Sequence, residues 1–339
     1  PILARMNMIL HDNPTAVIKQ GNTMSNPLLR DEYGRLKRFD FVVANPPFSF
    51  KSWSNGVNLD EETQEGGRFY GFGTPPDKNG DFAFLLHIVK SLKSKGKAAI
   101  ILPHGVLFRG NAEATIRQNL IQKGLIKGII GFPANLFYGT GIPACLIVLD
   151  KENAESRKGI FIIDAGKGFV KDGNKNRLRD QDIHKIVDVF NKQLEIPKYS
   201  RMVPLSEIRE KEYNLNIPRY IDSTESEDIQ NIEAHLRGGI PKADVEALGN
   251  YWRVYPALQQ HLFEEDKPGF YRLRVTKDQV KQEIFSHPEF VQYTKEVNQV
   301  FESWKQSNIP DCNQISANTR PKQFIHELSE DLLISFSNL

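Results

Sequence analysis

The eleven residues Phe39-Asp40-Phe41-Val42-Val43-Ala44-Asn45-Pro46-Pro47-Phe48-Ser49 restrict the fold of this chain more than any other stretch. An apolar run, Phe39 and Phe41 to Ala44, stops at Asn-Pro-Pro. A short apolar run cut off by a breaker predicts a buried strand of a parallel sheet. Neither proline can donate to a sheet ladder, so the strand ends at Asn45. A residue before proline is pushed out of the helical region, so Asn45 and Pro46 are both expected extended, with free carbonyls. Open α/β sheets bind ligands beyond the carboxyl ends of their strands, where this turn falls.

Methyl transfer to a planar amino group needs such a turn. The lone pair of an aromatic or amide nitrogen is delocalised, so the nitrogen is a poor nucleophile. Two acceptors gripping its N–H bonds draw it toward tetrahedral geometry and aim the lone pair at the methyl donor. The Asn45 side-chain oxygen supplies one acceptor and the Pro46 carbonyl the other. Phe48 offers a ring face on which a flipped base stacks, worth roughly 1–3 kcal/mol. The competing reading is a strand ending in an ordinary polar loop, with Phe48 in the core.

The stretch resembles the Asn-Pro-Pro-Phe signature of adenine-N6 DNA methyltransferases. Asn79-Gly80-Asp81-Phe82-Ala83-Phe84-Leu85-Leu86-His87 and Leu102-Pro103-His104-Gly105-Val106-Leu107-Phe108-Arg109-Gly110 resemble one branch, the modification subunit of type I restriction–modification systems. So do Pro133 to Cys145 and Tyr213-Asn214-Leu215-Asn216-Ile217-Pro218-Arg219-Tyr220. The likeness is close from Ala4 to about Asp222 and looser beyond. It implies an α/β chain: part of an S-adenosylmethionine-dependent methyltransferase fold, a mixed sheet with one antiparallel strand near its edge, then an α-helical C-terminal region. The implied divisions are 1–165 for the later part of the catalytic domain, 166–222 for a bridging segment and 223–339 for the helical region. Asn45, Pro46, Pro47 and Phe48 are the implied catalytic residues, and Asn22 and Asn45 the implied contacts to S-adenosylmethionine. DNA, a specificity subunit and a restriction subunit are the implied partners.

The chain has 339 residues, 40% of them apolar and 25% charged, as in ordinary globular proteins. No apolar run approaches the ~18 residues of a membrane span, and no signal peptide opens the sequence, which points to the cytoplasm. Cys145 and Cys312 have no metal spacing, and Cys145 lies in an apolar strand, so an inert core thiol is expected. A net charge of +2 is weak for a dedicated DNA clamp. The basic cluster Lys167, Lys171, Lys175, Arg177 and Arg179 is diluted by Asp172 and Asp180 and reads as a solvated face rather than a phosphate contact.

In chain order, Pro1 to His11 reads as the later part of a helix. Ala16–Gln20 predicts a short strand ending at Gly21-Asn22, where the resembled family has Gly-Asp and the acid takes the cofactor's adenine amine. Asn22 keeps an acceptor oxygen without the charge; a plain turn is the other reading. The glycine- and aromatic-rich segment from Phe50 to Asn79 is expected to be a lid or a DNA-facing loop. Asp81 is expected to N-cap a helix stopped by Lys95-Gly96-Lys97, with Ala98–Leu102 the next strand. His104 is read as fixing the turn after that strand in preference to acting as a base. A helix over Asn111–Ile121 and strands over Leu125–Gly131 and Ala144–Leu149 follow. The last two are joined closely enough to be antiparallel, and Phe137 or Tyr138 in their connection either lines a base pocket or packs in the core. Ile160–Ile163 extends or flanks the sheet. Asp180–Leu194 reads as a helix, Tyr213–Tyr220 as an extended bridge and Ser223–Asp228 as a linker. Ile229–Leu236, Ala243–Tyr255 and Pro288–Trp304 read as helices whose aromatics pack a core. In the resembled family this region contacts the specificity subunit.

The glycine-rich strand–turn that binds S-adenosylmethionine is not found; Gly71-Phe72-Gly73 and Gly139-Thr140-Gly141 do not sit between a strand and a helix. The resemblance therefore implies the later portion of a subunit, its main cofactor motif upstream of Pro1. It also implies that the strand ending at Asn45 has an unpaired edge, that the first thirty or so residues are displaced, and that this chain alone binds the cofactor poorly. RNA guanine-N2 and protein glutamine methyltransferases share Asn-Pro-Pro and form one alternative. A non-catalytic assembly subunit forms the other.

Overall fold

The computed structural model describes residues 2–223, 231–316 and 319–337. The chain divides into two compact units, 1–225 and 226–339, each taken by itself below.

The first unit is built on a six-stranded mixed sheet. A helix α1 (Ile2–Leu10) leads through irregular chain to β1 (Phe39–Ala44), then the short α2 (Leu59–Thr63) and α3 (Asp81–Lys90). Next come β2 (Leu92–Pro103), α4 (Ala112–Gln122), β3 (Ile126–Gly131), β4 (Ala144–Asp150) and β5 (Gly159–Asp164). A hairpin of β6 (Val170–Asp172) and β7 (Lys175–Arg177), α5 (Asp180–Lys192), β8 (Ser200–Pro204) and α6 (Leu205–Glu210) complete the unit. The strand order is β1-β2-β4-β3-β5-β8. β1 is parallel to β2, β4 runs antiparallel to both β2 and β3, and β3 is parallel to β5. The strand ending at Asn45 is thus followed outward by β2, the reversed β4 and then β3, the order expected of the methyltransferase fold. β5 extends the sheet, and a strand not foreseen, β8, closes it antiparallel.

Alternation along the strands feeds two cores. Ile160 and Ile162 of β5 join Ile129, Ile100 and Leu102 beneath α3 and α4, where Leu85, Leu86, Ile116 and Leu120 are buried. Phe161 and Ile163 point to the other face and pack with Ile130 against Ile186 and Val189 of α5. With both faces covered, strands read as continuous apolar runs. Cys145 is fully buried in the first core, and burial pushes its thiol far up, as an inert core thiol requires.

Several expectations are corrected. β1 forms where predicted and at the sheet edge, as the resemblance implied, but with Phe41 76% and Val43 83% exposed it is not the buried strand its apolar run predicts. Ala16–Gln20 forms no strand: among the described residues β1 pairs only with β2, which leaves this segment's backbone without a ladder. α1 buries no residue, whereas Met24 is buried. α3 stops at Ser91, whose hydroxyl caps the His87 carbonyl (2.8 Å) and whose own carbonyl already accepts from Phe39 N–H (2.8 Å). Lys95-Gly96-Lys97 therefore lies inside β2. Tyr213–Tyr220 is no extended bridge; it folds into a 3-10 turn over Ile217–Arg219 and buries Leu215, Ile217 and Tyr220.

The second unit is mainly helical. It contains α7 (Ile232–Arg237), β9 (Ile240–Pro241), α8 (Lys242–Glu246), α9 (Gly249–Val254) and α10 (Pro256–Leu262). These are followed by β10 (Phe263–Lys267), β11 (Phe270–Leu273), α11 (Val280–Ser286), α12 (Pro288–Asn313) and α13 (Pro321–Phe336). The helix expected over Ala243–Tyr255 is two, and β10-β11-β9 form a small sheet that was not foreseen. The aromatics meet one another, Tyr255 with Phe290 and Tyr293 each at 5.7 Å between ring centroids, but α12 buries no residue and Phe301 is exposed, so the expected core packing is corrected to partly exposed ring contacts. Residues 224–228 of the predicted linker lie outside the described residues.

Candidate functional site

Three of the four sequence blocks singled out above meet at the turn after β1, and the fourth packs on the second. The backbone N–H of Ser49 donates to Asp81 Oδ1 at 2.7 Å, and Arg109 Nη2 donates to Asp81 Oδ2 at 2.7 Å. Ser49 itself has φ +50°, a left-handed conformation a non-glycine residue holds only when its surroundings insist. Asp81 is fully buried, so its charge needs both donors. Asp81 was expected to N-cap α3; Gly80 occupies that position, and the Asp81 carboxylate turns instead to the Asn45–Ser49 turn. Gly80 N–H donates to the Phe50 carbonyl (3.0 Å), and a Cβ on Gly80 would lie 2.8 Å from Trp53 Cβ, so only glycine permits this approach.

The other two blocks complete the frame. Arg117 of α4 donates to the carbonyls of Arg109 (2.9 Å) and Tyr213 (2.8 Å), joining the second and fourth. Its burial lowers its pKa to about 10, and buried Glu113, 3.1 Å from Arg109 Nε, has its carboxyl pushed up by desolvation. The third block, the loop between β3 and β4, delivers Phe137 edge-to-face against Phe48, with centroids 5.8 Å apart and planes at 73°. Tyr138 beside it is 94% exposed, so of the two aromatics only Phe137 reaches Phe48.

At the turn itself Asn45 is exposed. Among the described residues neither its side chain nor the Pro46 carbonyl takes a hydrogen bond. Two adjacent acceptors beside an aromatic ring can hold a planar amine by both N–H bonds. Asn22 is in the opposite state. Its Oδ1 accepts from the N–H of Met24 (2.9 Å) and of Ser25 (3.4 Å), an Asx turn. Its neighbours Gly21 and Thr23 line a cleft of about 340 Å³ with Phe39, at the far end of β1 from Asn45. Six strand residues span ~20 Å, so the structure does not bring Asn22 and Asn45 together.

The Phe50–Asn79 segment is pinned rather than free. Trp53 and Phe69 are buried edge-to-face at 5.7 Å, and Trp53 Nε1 donates to the Pro76 carbonyl (2.8 Å). Buried Arg68 bonds the Met24 carbonyl (2.7 Å) and pairs with Glu62. Burial first, and the adjacent Arg68 guanidinium second, lower the His87 pKa to about 4. His104 fixes its turn through its backbone N–H on the Pro143 carbonyl (3.1 Å). Its ring Nε2 is buried without a hydrogen-bond partner among the described residues, and burial lowers the pKa of the ring. Of the basic cluster, Arg177 pairs with Asp172 (3.2 Å) and Arg179 with Asp182 (2.8 Å). No group of three or more metal-ligating side chains occurs among the described residues, and no helix there is long and apolar enough to cross a membrane.

Asp81 and Arg109 were not read as functional from sequence, although both lie in blocks quoted there. The available signal was a charge embedded in an apolar helix start and another closing an apolar strand block. Buried charges require partners, and these are each other's.

Comparison with known proteins places the chain in a family. The model of the N-6 DNA methylase family matches residues 2–229. The methylase subunit of type I restriction enzyme MpnII from Mycoplasma pneumoniae is 36% identical over 229 residues, covering 65% of this chain and 41% of that protein. The corresponding MjaVII subunit from Methanocaldococcus jannaschii is 35% identical over 246 residues, covering 69% and 41%. The chain thus spans about two fifths of the length of these curated relatives. The crystal structure of a type I restriction-modification system methyltransferase subunit from Streptococcus thermophilus superposes with a TM-score of 0.59 at 41% identity, over 66% of this chain and 46% of that one.

Proposed function

The chain belongs to the N-6 DNA methylase family, and from that premise we propose that it forms the reacting part of an adenine-N6 DNA methyltransferase subunit of a type I restriction–modification system. The observation that carries this reading is the pair of unengaged acceptors, Asn45 Oδ1 and the Pro46 carbonyl, on a turn locked by Asp81 beside Phe48. An adenine turned out of the duplex would stack on Phe48 and give its two N6–H bonds to those acceptors. Pro47 stiffens the turn and keeps a competing N–H away from it. The nitrogen lone pair, no longer shared fully with the ring, is then aimed out of the base plane. Once methylated, the amine is acidic enough to lose a proton to solvent, so no dedicated base is required and His104 is given no proton-transfer role.

Methyltransferases of this family take the methyl group from S-adenosylmethionine. Asn22, the other residue considered for cofactor contact, spends its oxygen on its own turn. Asn45 is therefore assigned to the methyl-accepting side, and no step is given to Asn22. DNA is the substrate in this reading, with a specificity subunit supplying target choice, a restriction subunit as further partner and the cytoplasm as location. The mainly helical residues 223–339 are assigned to docking the specificity subunit; a chain ending at Asp222 should co-purify with it poorly.

The test is product identity. DNA treated with the assembled enzyme and labelled S-adenosylmethionine, then digested to nucleosides, should carry label on N6-methyladenine. Label confined to guanine or to protein would contradict the reading.

A further inference from the structure

The basic cluster contains a residue, Lys175, that holds two loop carbonyls rather than a charge partner. Lys175, half-buried on β7, donates from Nζ to the carbonyl of Phe137 (2.8 Å) and to that of Thr140 (2.9 Å). Its neighbour Asn176 donates from Nδ2 to the Ala134 carbonyl (2.7 Å) and from its backbone N–H to the Asn135 carbonyl (3.0 Å). Four carbonyls of the loop between β3 and β4 thus answer to two consecutive residues of a hairpin distant in sequence. The loop needs them. Asn135 and Gly139 lie at φ +56° and +79°, and above the Phe132 N–H to Ala144 carbonyl bond at its base (2.9 Å) the loop's own bonds are few, Asn135 N–H to the Gly141 carbonyl (3.3 Å) and Ile142 N–H to Thr140 Oγ1 (3.1 Å). A turn with so little internal bonding holds one shape only if outside groups impose it. What it presents is Phe137, in edge contact with Phe48 beside Asn45. A base sandwiched between two rings needs about 7 Å, two carbon contacts of about 3.5 Å each. At 5.8 Å and 73° the rings fill that slot themselves, so a base gains the Phe48 face only as Phe137 yields or is held to one side. The setting of the loop therefore bears directly on base capture.

We propose that Lys175 is a positioning residue of the methylation site: by tying the Phe137 and Thr140 carbonyls to the β6–β7 hairpin it sets the ring of Phe137 against Phe48, where the target base must lodge. This rests on the function proposed above. A cation suits the task because it has three donors and two carbonyls converge on it. Charge-assisted bonds are also stronger than neutral ones. Arginine can reproduce the donors with altered reach, whereas methionine keeps the stem and removes every donor.

The experiment uses the assembled methyltransferase and two DNAs: one carries 2-aminopurine at the target position, whose emission rises when the base leaves the stack, and the other keeps adenine there as acceptor for single-turnover methylation. Lys175→Met should lower that emission and single-turnover methylation about tenfold, while the Kd for DNA and the melting temperature stay near wild type. Lys175→Arg should recover most of both, and Asn176→Ala should fall between. Wild-type emission and turnover in Lys175→Met, with Asn45→Ala still inactive, would overturn this proposal alone. Loss of emission, DNA affinity and melting temperature together would overturn it in favour of a purely structural lysine. Near-normal turnover in Asn45→Ala would instead overturn the underlying function.

Discussion

Asn45 and Asn22 carry the same side chain, each just past an apolar stretch, and the fold leaves them in opposite states. Asn22 turns its oxygen back on its own backbone, taking the N–H groups of Met24 and Ser25. Asn45 cannot do so. The residue two on, whose amide would close such a turn, is Pro47 with no N–H to offer; among the described residues the Phe48 amide makes no bond to Asn45, and the Ser49 amide is taken by Asp81. The difference teaches that a poised acceptor is made by removing its local donors. Asparagine ordinarily satisfies itself in a turn; two prolines and a buried carboxylate strip that possibility from Asn45.

The largest expected effect follows directly. Asn45→Ala should lower methylation by at least 10²–10³-fold, the cost of losing one group that acts on the reacting centre, with DNA affinity retained in a filter or anisotropy assay. Asp81→Ala attacks the device that keeps the turn open. It should cost about 100-fold in turnover through misplacement and lower the urea midpoint, because the Ser49 amide and Arg109 Nη2 lose their acceptor while Arg109 keeps only Glu113. Phe48→Ala should weaken capture of the base by roughly 1–3 kcal/mol, with Phe48→Tyr milder.

Two smaller effects belong to the Asn22 side. His87, beside Arg68, has a folded pKa near 4, below its ordinary 6.5. Between those values the unfolded chain binds more protons, so stability rises with pH across about pH 4–6.5 and is lost on acidification. The ceiling is about 3 kcal/mol, lowered by the partial exposure of the ring. Urea midpoints at pH 5 and pH 7 measure it, and His87→Gln should flatten the difference. The smallest change is Asn22→Ala, expected to cost ~1 kcal/mol of stability through the lost turn cap and to leave methylation alone.

Much of this arrangement was legible in the sequence, for identifiable reasons. Asn-Pro-Pro announces the end of β1 because proline cannot continue a ladder, and apolar runs announce β3, β4 and β5 because both sheet faces are covered. Local rules fail where partners are distant in the chain. Asp81 looked like a helix cap because caps are local, yet its carboxylate serves Ser49 and Arg109, 32 and 28 residues away. Lys175 looked like a solvated charge because nothing in its own segment shows the carbonyls of Phe137 and Thr140 converging on it. Phe41 and Val43 looked buried from composition, but burial depends on what lies beside an edge strand, and that is not written in the strand.

One measurement tests the contrast between the two asparagines most directly: single-turnover methyl transfer by the assembled enzyme carrying Asn45→Ala or Asn22→Ala, side by side, with DNA affinity determined on the same preparations. The expected result is transfer abolished for Asn45→Ala and near wild type for Asn22→Ala, with both variants binding DNA normally. Near-normal transfer by Asn45→Ala, or an equal loss in the two variants, would contradict the assignment of the open acceptor as the reacting group's holder.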